Sequence, residues 1–283
     1  MIPAKFSYER AGTVDEALMM LAKHGEDAKI LAGGHSLIPA MKLRLNQPGV
    51  LIDIGRITEL RYMKDAGDYI AVGAGATHSD LASSDLFGDG LALWNEAADL
   101  IGDPQVRHKG TLGGSLAHAD PAADWPAVVL ASEGIIVVKG PKGQREIPAT
   151  DFFTGFYMTD LQPDELLTEV RIPKPPAGSR SSYQKFMQPA SRFAIVGCAA
   201  IVTAPEGKCE RIRLGMTGVA DGPYRATAVE EALKGQSLTP ENVEAAAQKA
   251  ADGAAVMGDH FAGEEYREHL ARVYAKRAIL ATQ

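Results

Sequence analysis

Two glycine pairs, each placed where a helix-like segment begins, constrain the folding of this chain most. The first lies in Ala32-Gly33-Gly34-His35-Ser36, between the apolar run 28–31 and the helix-like segment 37–43. The second lies about eighty residues later, in Thr111-Leu112-Gly113-Gly114-Ser115. Glycine permits positive φ and leaves no Cβ between the backbone and an approaching group. The sequence therefore predicts two turns into helices whose backbone can be approached closely.

Such turns have two readings. Free backbone N–H groups at a glycine turn, together with those of the next helix, form a concavity that suits phosphate oxygens. A strand-to-helix corner also needs glycine for steric reasons alone, and for a single glycine pair this is the more frequent case. Because two pairs occur, each closed by Ser or Thr hydroxyls, we interpret them as two loops facing one diphosphate.

Charge and cysteine usage argue against several other functions. A net charge of −7 with scattered Lys and Arg argues against nucleic-acid binding, which needs a clustered basic surface. The only cysteines, Cys198 and Cys209, lack metal-ligand spacing and are expected to be reduced and buried. No His pattern indicates a metal site. Because no stretch approaches the ~20 apolar residues of a membrane span and residues 1–5 lead into polar sequence, we expect a cytoplasmic protein.

Hydrophobic periodicity predicts an α+β protein in three units. Residues 1–55 contain a helix at 14–24 and strands at 28–31 and 50–54, which indicates a small βαβ-like unit. Residues 56–176 form an α+β middle unit that ends in a Pro-rich linker. Residues 177–283 are expected to form an α+β unit of three antiparallel strands followed by three helices. The middle unit is predicted to hold strands at 69–73, 135–139, 145–148 and 166–172, and helices at 79–83 and 91–101.

The segment after the second glycine pair is rich in small residues and contains Asp120 and Asp124, four positions apart. Small side chains let a planar ligand lie near the backbone, and a carboxylate can accept hydrogen bonds from a ribose hydroxyl. Asp120 fits equally well as the N-cap of a helix that begins at Pro121. We expect the ligand to lie in a cleft between the middle and C-terminal units.

These motifs resemble those of the medium, FAD-binding subunits of molybdenum hydroxylases, the carbon monoxide dehydrogenase and xanthine dehydrogenase family. The resemblance covers nearly the whole chain and is supported by the segments 101–107 and 161–165. It implies a two-part FAD-binding module resembling the vanillyl-alcohol-oxidase (PCMH) type, followed by the C-terminal unit. It also implies that two loops hold the FAD diphosphate, formed by Ala32, Gly33, Gly34, His35 and Ser36 and by Thr111, Leu112, Gly113, Gly114 and Ser115.

Three further residues resemble family positions near the cofactor. Asp124 corresponds to a position near the adenosine half of FAD, while Leu161 and Lys185 correspond to positions near the isoalloxazine. Ser115 stands where the family often has Asn or Asp, so a small polar contact is preserved. Phe193 lies in a segment whose local match is loose, and its role stays open.

The resemblance implies an electron-transfer subunit with no catalytic residue and no metal ligand of its own. In such complexes a large subunit oxidises the substrate at a molybdenum cofactor, and electrons pass through [2Fe–2S] clusters of a small subunit to FAD. A dimer of heterotrimers is implied, with peripheral membrane association through the complex left open. The sequence also allows an autonomous FAD-dependent oxidoreductase or a nucleotide-binding regulatory module. The substrate (carbon monoxide, an aldehyde, a purine or another N-heteroaromatic) and the electron acceptor are not determined.

Overall fold

A computed structural model describes residues 1–283, and its N-terminal unit is a small parallel sheet. Strands β1 and β2 both pair with β3 in parallel, which gives the order β1-β3-β2. Parallel pairing requires crossover connections, and the two helices supply them. The elements are β1 (Ser7–Arg10), α1 (Val14–His24), β2 (Ala28–Leu31), α2 (Leu37–Lys42) and β3 (Val50–Asp53).

The middle unit is built on a five-stranded antiparallel sheet in the order β4-β5-β10-β6-β7. The last strand of the unit, β10, thus lies at its centre, between strands that come long before it in the chain. The strands are β4 (Met63–Asp65), β5 (Tyr69–Gly73), β6 (Ile135–Gly140), β7 (Gly143–Pro148), the separate hairpin β8 (Phe153–Gly155) and β9 (Met158–Thr159), and β10 (Leu166–Pro173). The helices are α3 (His78–Ala82), α4 (Leu93–Leu100), α5 (Pro104–Arg107), α6 (Leu112–His118), α7 (Trp125–Ala131) and α8 (Ala149–Phe152).

The C-terminal unit is an antiparallel sheet covered by helices, as the sequence predicts. Its strands follow chain order, β11-β12-β13-β14, and the long helix α11 packs on β11 and β12. The elements are β11 (Ser179–Met187), β12 (Ala194–Thr203), β13 (Arg211–Thr217), β14 (Tyr224–Arg225), α9 (Thr227–Leu233), α10 (Pro240–Ala247) and α11 (Glu264–Leu280). Short 3₁₀ turns occur at Gly25–Asp27, Thr58–Leu60, Asp89–Leu91 and Pro205–Gly207.

Helix α7 joins the middle and C-terminal units. All seven of its residues are buried, because it packs against α4 and α6 on one side and β12 and β13 on the other. A helix that is apolar all round is stable only when enclosed in this way. Its Trp125 ring lies 5.2 Å from that of Trp94, at the centre of the middle core. The two units therefore share one continuous packed boundary at this helix.

Two local features differ from what the sequence predicts. Asp103 begins the short helix α5, which was not predicted, and its side chain accepts a hydrogen bond from the Val106 N–H (2.9 Å). Asp120 is not a helix N-cap: its carboxylate accepts from the Ala122 N–H (2.9 Å) in a turn, and helix α7 begins later, at Trp125.

No helix in the structure is both long and apolar enough to cross a bilayer. Both cysteines are buried and unpaired.

Candidate functional site

The two glycine loops lie side by side, at the boundary between the N-terminal and middle units. A Cβ placed on Gly33 would overlap the carbonyl of Lys109 and would lie 2.9 Å from the Cα of Gly110. A Cβ on Gly114 would lie 3.8 Å from the Cβ of Ala32. The first loop follows strand β2 of the N-terminal unit, and the second lies at the start of α6 in the middle unit, so the tertiary fold brings them together. Glycine at position 33 is required for this close approach of two backbones.

The first loop presents a run of unpartnered backbone donors. The N–H groups of Gly33, Gly34, His35 and Ser36 donate to no acceptor within the chain. Gly34 has φ +77°, a left-handed conformation that glycine adopts readily, and its carbonyl accepts from the Ile38 N–H at 2.9 Å. The Ser36 side chain makes no capping hydrogen bond, so its hydroxyl is also free. Successive free N–H groups form a concavity that binds an anion.

The second loop differs, because most of its N–H groups are already used. Four of its five N–H groups have acceptors within 3.1 Å: Leu112 donates to the Ala76 carbonyl, Gly113 to the Ala74 carbonyl, Gly114 to the Thr111 hydroxyl and Ser115 to the Thr111 carbonyl, whereas the Thr111 N–H has none. The expectation that both loops offer backbone N–H groups in the same way is therefore wrong. Gly113 serves packing, since its Cβ would lie 2.6 Å from that of Ala74. Gly114 is exposed, and the Ser115 hydroxyl has no protein partner.

The sequence analysis placed one histidine, the exposed His35, in the candidate site, and the structure adds a buried one. The other, His78, is 5% exposed and packs beneath Gly110, whose carbonyl accepts its backbone N–H at 3.0 Å. Burial, and then the nearby charges of His35 and Arg107, lower the pKa of His78 to about 4. The sequence does contain one readable signal here, the Thr77-x-x-Asp80 capping box that fixes the start of α3.

Asp124 and Lys185 lie together in a buried ion pair. The Lys185 ammonium lies 2.9 Å from the Asp124 carboxylate and also donates to the Leu100 carbonyl at 3.1 Å. The Tyr183 hydroxyl donates to the same carboxylate at 2.5 Å. Burial raises the pKa of Asp124, and its Lys185 and Tyr183 partners oppose that rise. Because the two residues are in contact, at most one half of an extended cofactor can lie beside both; the assignment of Asp124 to the adenosine half and of Lys185 to the isoalloxazine stays a prediction.

The predicted cleft between the middle and C-terminal units is closed at this point. A Cβ on Gly215 of β13 would overlap the Ala127 carbonyl, and the Thr217 hydroxyl donates to the Ala123 carbonyl at 2.7 Å. Leu161 is half-buried against the middle core, and Phe193 is 42% exposed. A surface pocket of about 340 Å³ lies in the C-terminal unit beside Arg180 and Leu238 and does not include the loops. The two loops meet instead at the boundary between the N-terminal and middle units, where several of their residues are exposed or half-buried, and we call this surface the groove.

The residues of the groove fit a dinucleotide diphosphate. The four free N–H groups of the first loop suit phosphate oxygens, and the glycines leave room for them beside the backbone. The hydroxyls of Ser36 and Ser115 add two side-chain donors. Which residue contacts which part of a cofactor stays a prediction.

Comparison with known proteins decides the family. One family model, described as the FAD binding domain in molybdopterin dehydrogenase, matches residues 4–175, and a second, the CO dehydrogenase flavoprotein C-terminal domain, matches residues 181–282. The chain belongs to this family of molybdenum-hydroxylase flavoproteins. The carbon monoxide dehydrogenase medium chain of Hydrogenophaga pseudoflava is 41% identical, over 99% of this chain and 98% of that protein.

One further relative and one solved structure extend the comparison. The 6-hydroxypseudooxynicotine dehydrogenase complex subunit alpha of Paenarthrobacter nicotinovorans is 36% identical, over 99% of this chain and 95% of that protein. A solved carbon monoxide dehydrogenase from Hydrogenophaga pseudoflava, which lacks the Mo-pyranopterin moiety, matches with TM-score 0.96 at 43% identity, over 100% of this chain and 98% of that one. The predicted family, the α+β class and the FAD cofactor are confirmed.

Proposed function

We propose that this chain is the FAD-binding electron-transfer subunit of a molybdenum hydroxylase. It assembles with a large subunit that holds the molybdenum cofactor and a small subunit that holds [2Fe–2S] clusters, as a dimer of heterotrimers in the cytoplasm. The observation that supports this most is the pair of abutting glycine loops, with four free N–H groups, within a chain that matches medium subunits along its whole length.

The chain contributes binding and orientation. FAD, when bound, can accept electrons one at a time and release them singly or in pairs. The free N–H groups of residues 33–36 would hold the diphosphate, and the Ser36 and Ser115 hydroxyls would add hydrogen bonds. Thr111 keeps the second loop rigid by accepting the Gly114 N–H at 3.1 Å. The contacts of α7 with β12 and β13 hold the C-terminal unit in a fixed position against the middle unit.

The domain division at residues 55 and 176 also stays a proposal. Separate sheets support it, since β1–β3 end at Asp53, β4–β10 end at Pro173 and β11 begins at Ser179. The substrate of the complex belongs to the large subunit. The relatives bear the names of carbon monoxide and 6-hydroxypseudooxynicotine dehydrogenases, so family membership alone leaves the substrate class open.

The test is to purify the chain alone and together with its co-purifying proteins. We expect the isolated chain to bind one FAD and to oxidise none of the candidate substrates. The assembled complex should contain molybdenum and iron–sulfur clusters and should transfer electrons from one such substrate to a dye or quinone. Full-rate substrate turnover by the isolated chain would contradict the proposal and favour an autonomous FAD-dependent oxidoreductase.

A further inference from the structure

His78 lies beneath the two loops, and its ring has a defined proton position. Its Nδ1 lies 3.0 Å from the indole nitrogen of Trp125. An indole N–H can only donate, so Nδ1 must be the acceptor and carry no proton. A neutral imidazole then bears its proton on Nε2. The low pKa of His78, about 4, keeps the ring neutral at physiological pH.

The Nε2–H group of His78 has no acceptor within the chain. It faces Gly110, where a Cβ would lie 2.5 Å from Nε2. The one fully enclosed side-chain nitrogen or oxygen without a partner is Arg272 Nε, so the His78 Nε2 retains some accessible surface. His78 is thus a buried donor, fixed in its tautomer by Trp125 and unpartnered. Because Nε2 retains accessible surface, its proton is open to an acceptor that a ligand supplies.

The position of His78 relates it to the diphosphate groove. Gly110 lies between the His78 ring and Gly33, whose Cβ would be 2.9 Å from the Gly110 Cα. His35, in the first loop, is close enough to lower the pKa of His78 by its charge. The first loop supplies free N–H groups, whereas those of the second loop from Leu112 onward are already used. A diphosphate held between the two loops would therefore find only the Thr111 N–H as a free backbone donor on the side of the second loop.

We propose that the Nε2–H of His78 donates a hydrogen bond to the FAD diphosphate at the junction of the two loops. Trp125 is the positioning residue, because its indole N–H holds the imidazole in the required tautomer. This inference rests on the proposed FAD-binding function, and the two can fail separately. A chain that binds no FAD contradicts the function, whereas FAD binding that is indifferent to His78 contradicts only the inference.

The first test compares His78→Phe with His78→Gln in the full chain. Phe removes the donor, while Gln can place an amide N–H near the position of Nε2. We expect the Kd for FAD to rise about tenfold in His78→Phe. The affinity for ADP, measured by competition with FAD, should fall by a similar factor. His78→Gln should recover most of the affinity. The control is His24→Gln, at the end of α1, which should bind FAD as the parent does. Equal FAD affinity of a folded His78→Phe protein and the parent would overturn the proposal.

The second test needs no substitution and therefore remains decisive if His78→Phe fails to fold. Histidine-labelled protein is measured by ¹H–¹⁵N NMR before and after FAD is added. We expect the His78 signals of an Nε2–H tautomer in both states, with the Nε2 proton moving downfield when FAD binds. An Nδ1–H tautomer, or an Nε2 proton that does not respond to FAD, would overturn the proposal.

Discussion

The Gly33→Ala substitution tests the two-loop geometry most strictly. The new Cβ would lie 2.8 Å from the Lys109 carbonyl carbon and 2.9 Å from the Gly110 Cα, and closer still to the Lys109 carbonyl oxygen. Non-bonded carbons pack at about 3.5–4.0 Å, so the loops must separate by roughly 1 Å. Overpacking of this kind costs about 1–3 kcal/mol of folding free energy. Loss of one N–H···phosphate bond costs a further ~1.5–3 kcal/mol of binding, about ten- to hundredfold in the Kd for FAD.

The assay combines a fluorescence titration with FAD and urea unfolding of the flavin-free protein. Gly88→Ala is the matched control, because Gly88 has φ −69° and no atom within 4 Å of its Cβ position. We expect Gly88→Ala to leave both measurements unchanged and Gly33→Ala to lower FAD affinity by more than its loss of stability explains. Unchanged FAD affinity in Gly33→Ala would refute the argument that close contact of the loops forms the site.

Three further predictions follow from individual side chains. His35→Gln should raise the Kd for FAD about fivefold, since exposed His35 adds one hydrogen bond to the backbone donors; complete loss of FAD from a folded variant would contradict this. Lys185→Met should lower the free energy of unfolding, measured by urea titration, by about 3–5 kcal/mol, because Asp124 stays buried without its partner. The double variant Lys185→Met/Asp124→Asn should recover part of this loss; equal stability of the single and the double variant would contradict the proposed role of the ion pair. Because the pKa of His78 is lowered in the folded state, its contribution to the free energy of unfolding should be complete above pH 6.5 and should fall by about 3 kcal/mol in total as the pH drops to 4. In His78→Gln the urea midpoint should depend less on pH in this range; the same pH dependence in the variant and the parent would contradict this.

The regular elements could largely be predicted from the sequence, because they carry strong periodicity. The fully buried strand β12 and the amphipathic helix α1 have the apolar patterns that the prediction relies on. The hairpin of β8 and β9 was missed, since strands of two or three residues are too short to show alternation. The short helix α5 was not predicted, because its N-cap, Asp103, and its first residue, Pro104, can equally follow the end of the preceding helix.

The candidate site was only partly predictable, for a physical reason. The glycine motifs reveal where the backbone can be approached, but not whether its N–H groups are already used. The N–H groups of Leu112 and Gly113 donate to the carbonyls of Ala76 and Ala74, and no local sequence pattern indicates such contacts. Asp124 and Lys185 are 61 residues apart in the chain, so their pairing likewise depends on the tertiary fold.

The most direct test of electron transfer through this subunit is stopped-flow spectroscopy of the assembled complex with and without flavin. Reduced iron–sulfur clusters and reduced flavin absorb differently, so their reduction and reoxidation can be followed separately. A complex that contains Gly33→Val, emptied of FAD, should reduce its clusters at the normal rate when given substrate. Reoxidation of those clusters by the physiological acceptor should be slow, while the parent complex reoxidises quickly through its flavin. If the flavin-free complex passed electrons to the acceptor as fast as the parent, the subunit would not carry the electron path and the account would be contradicted.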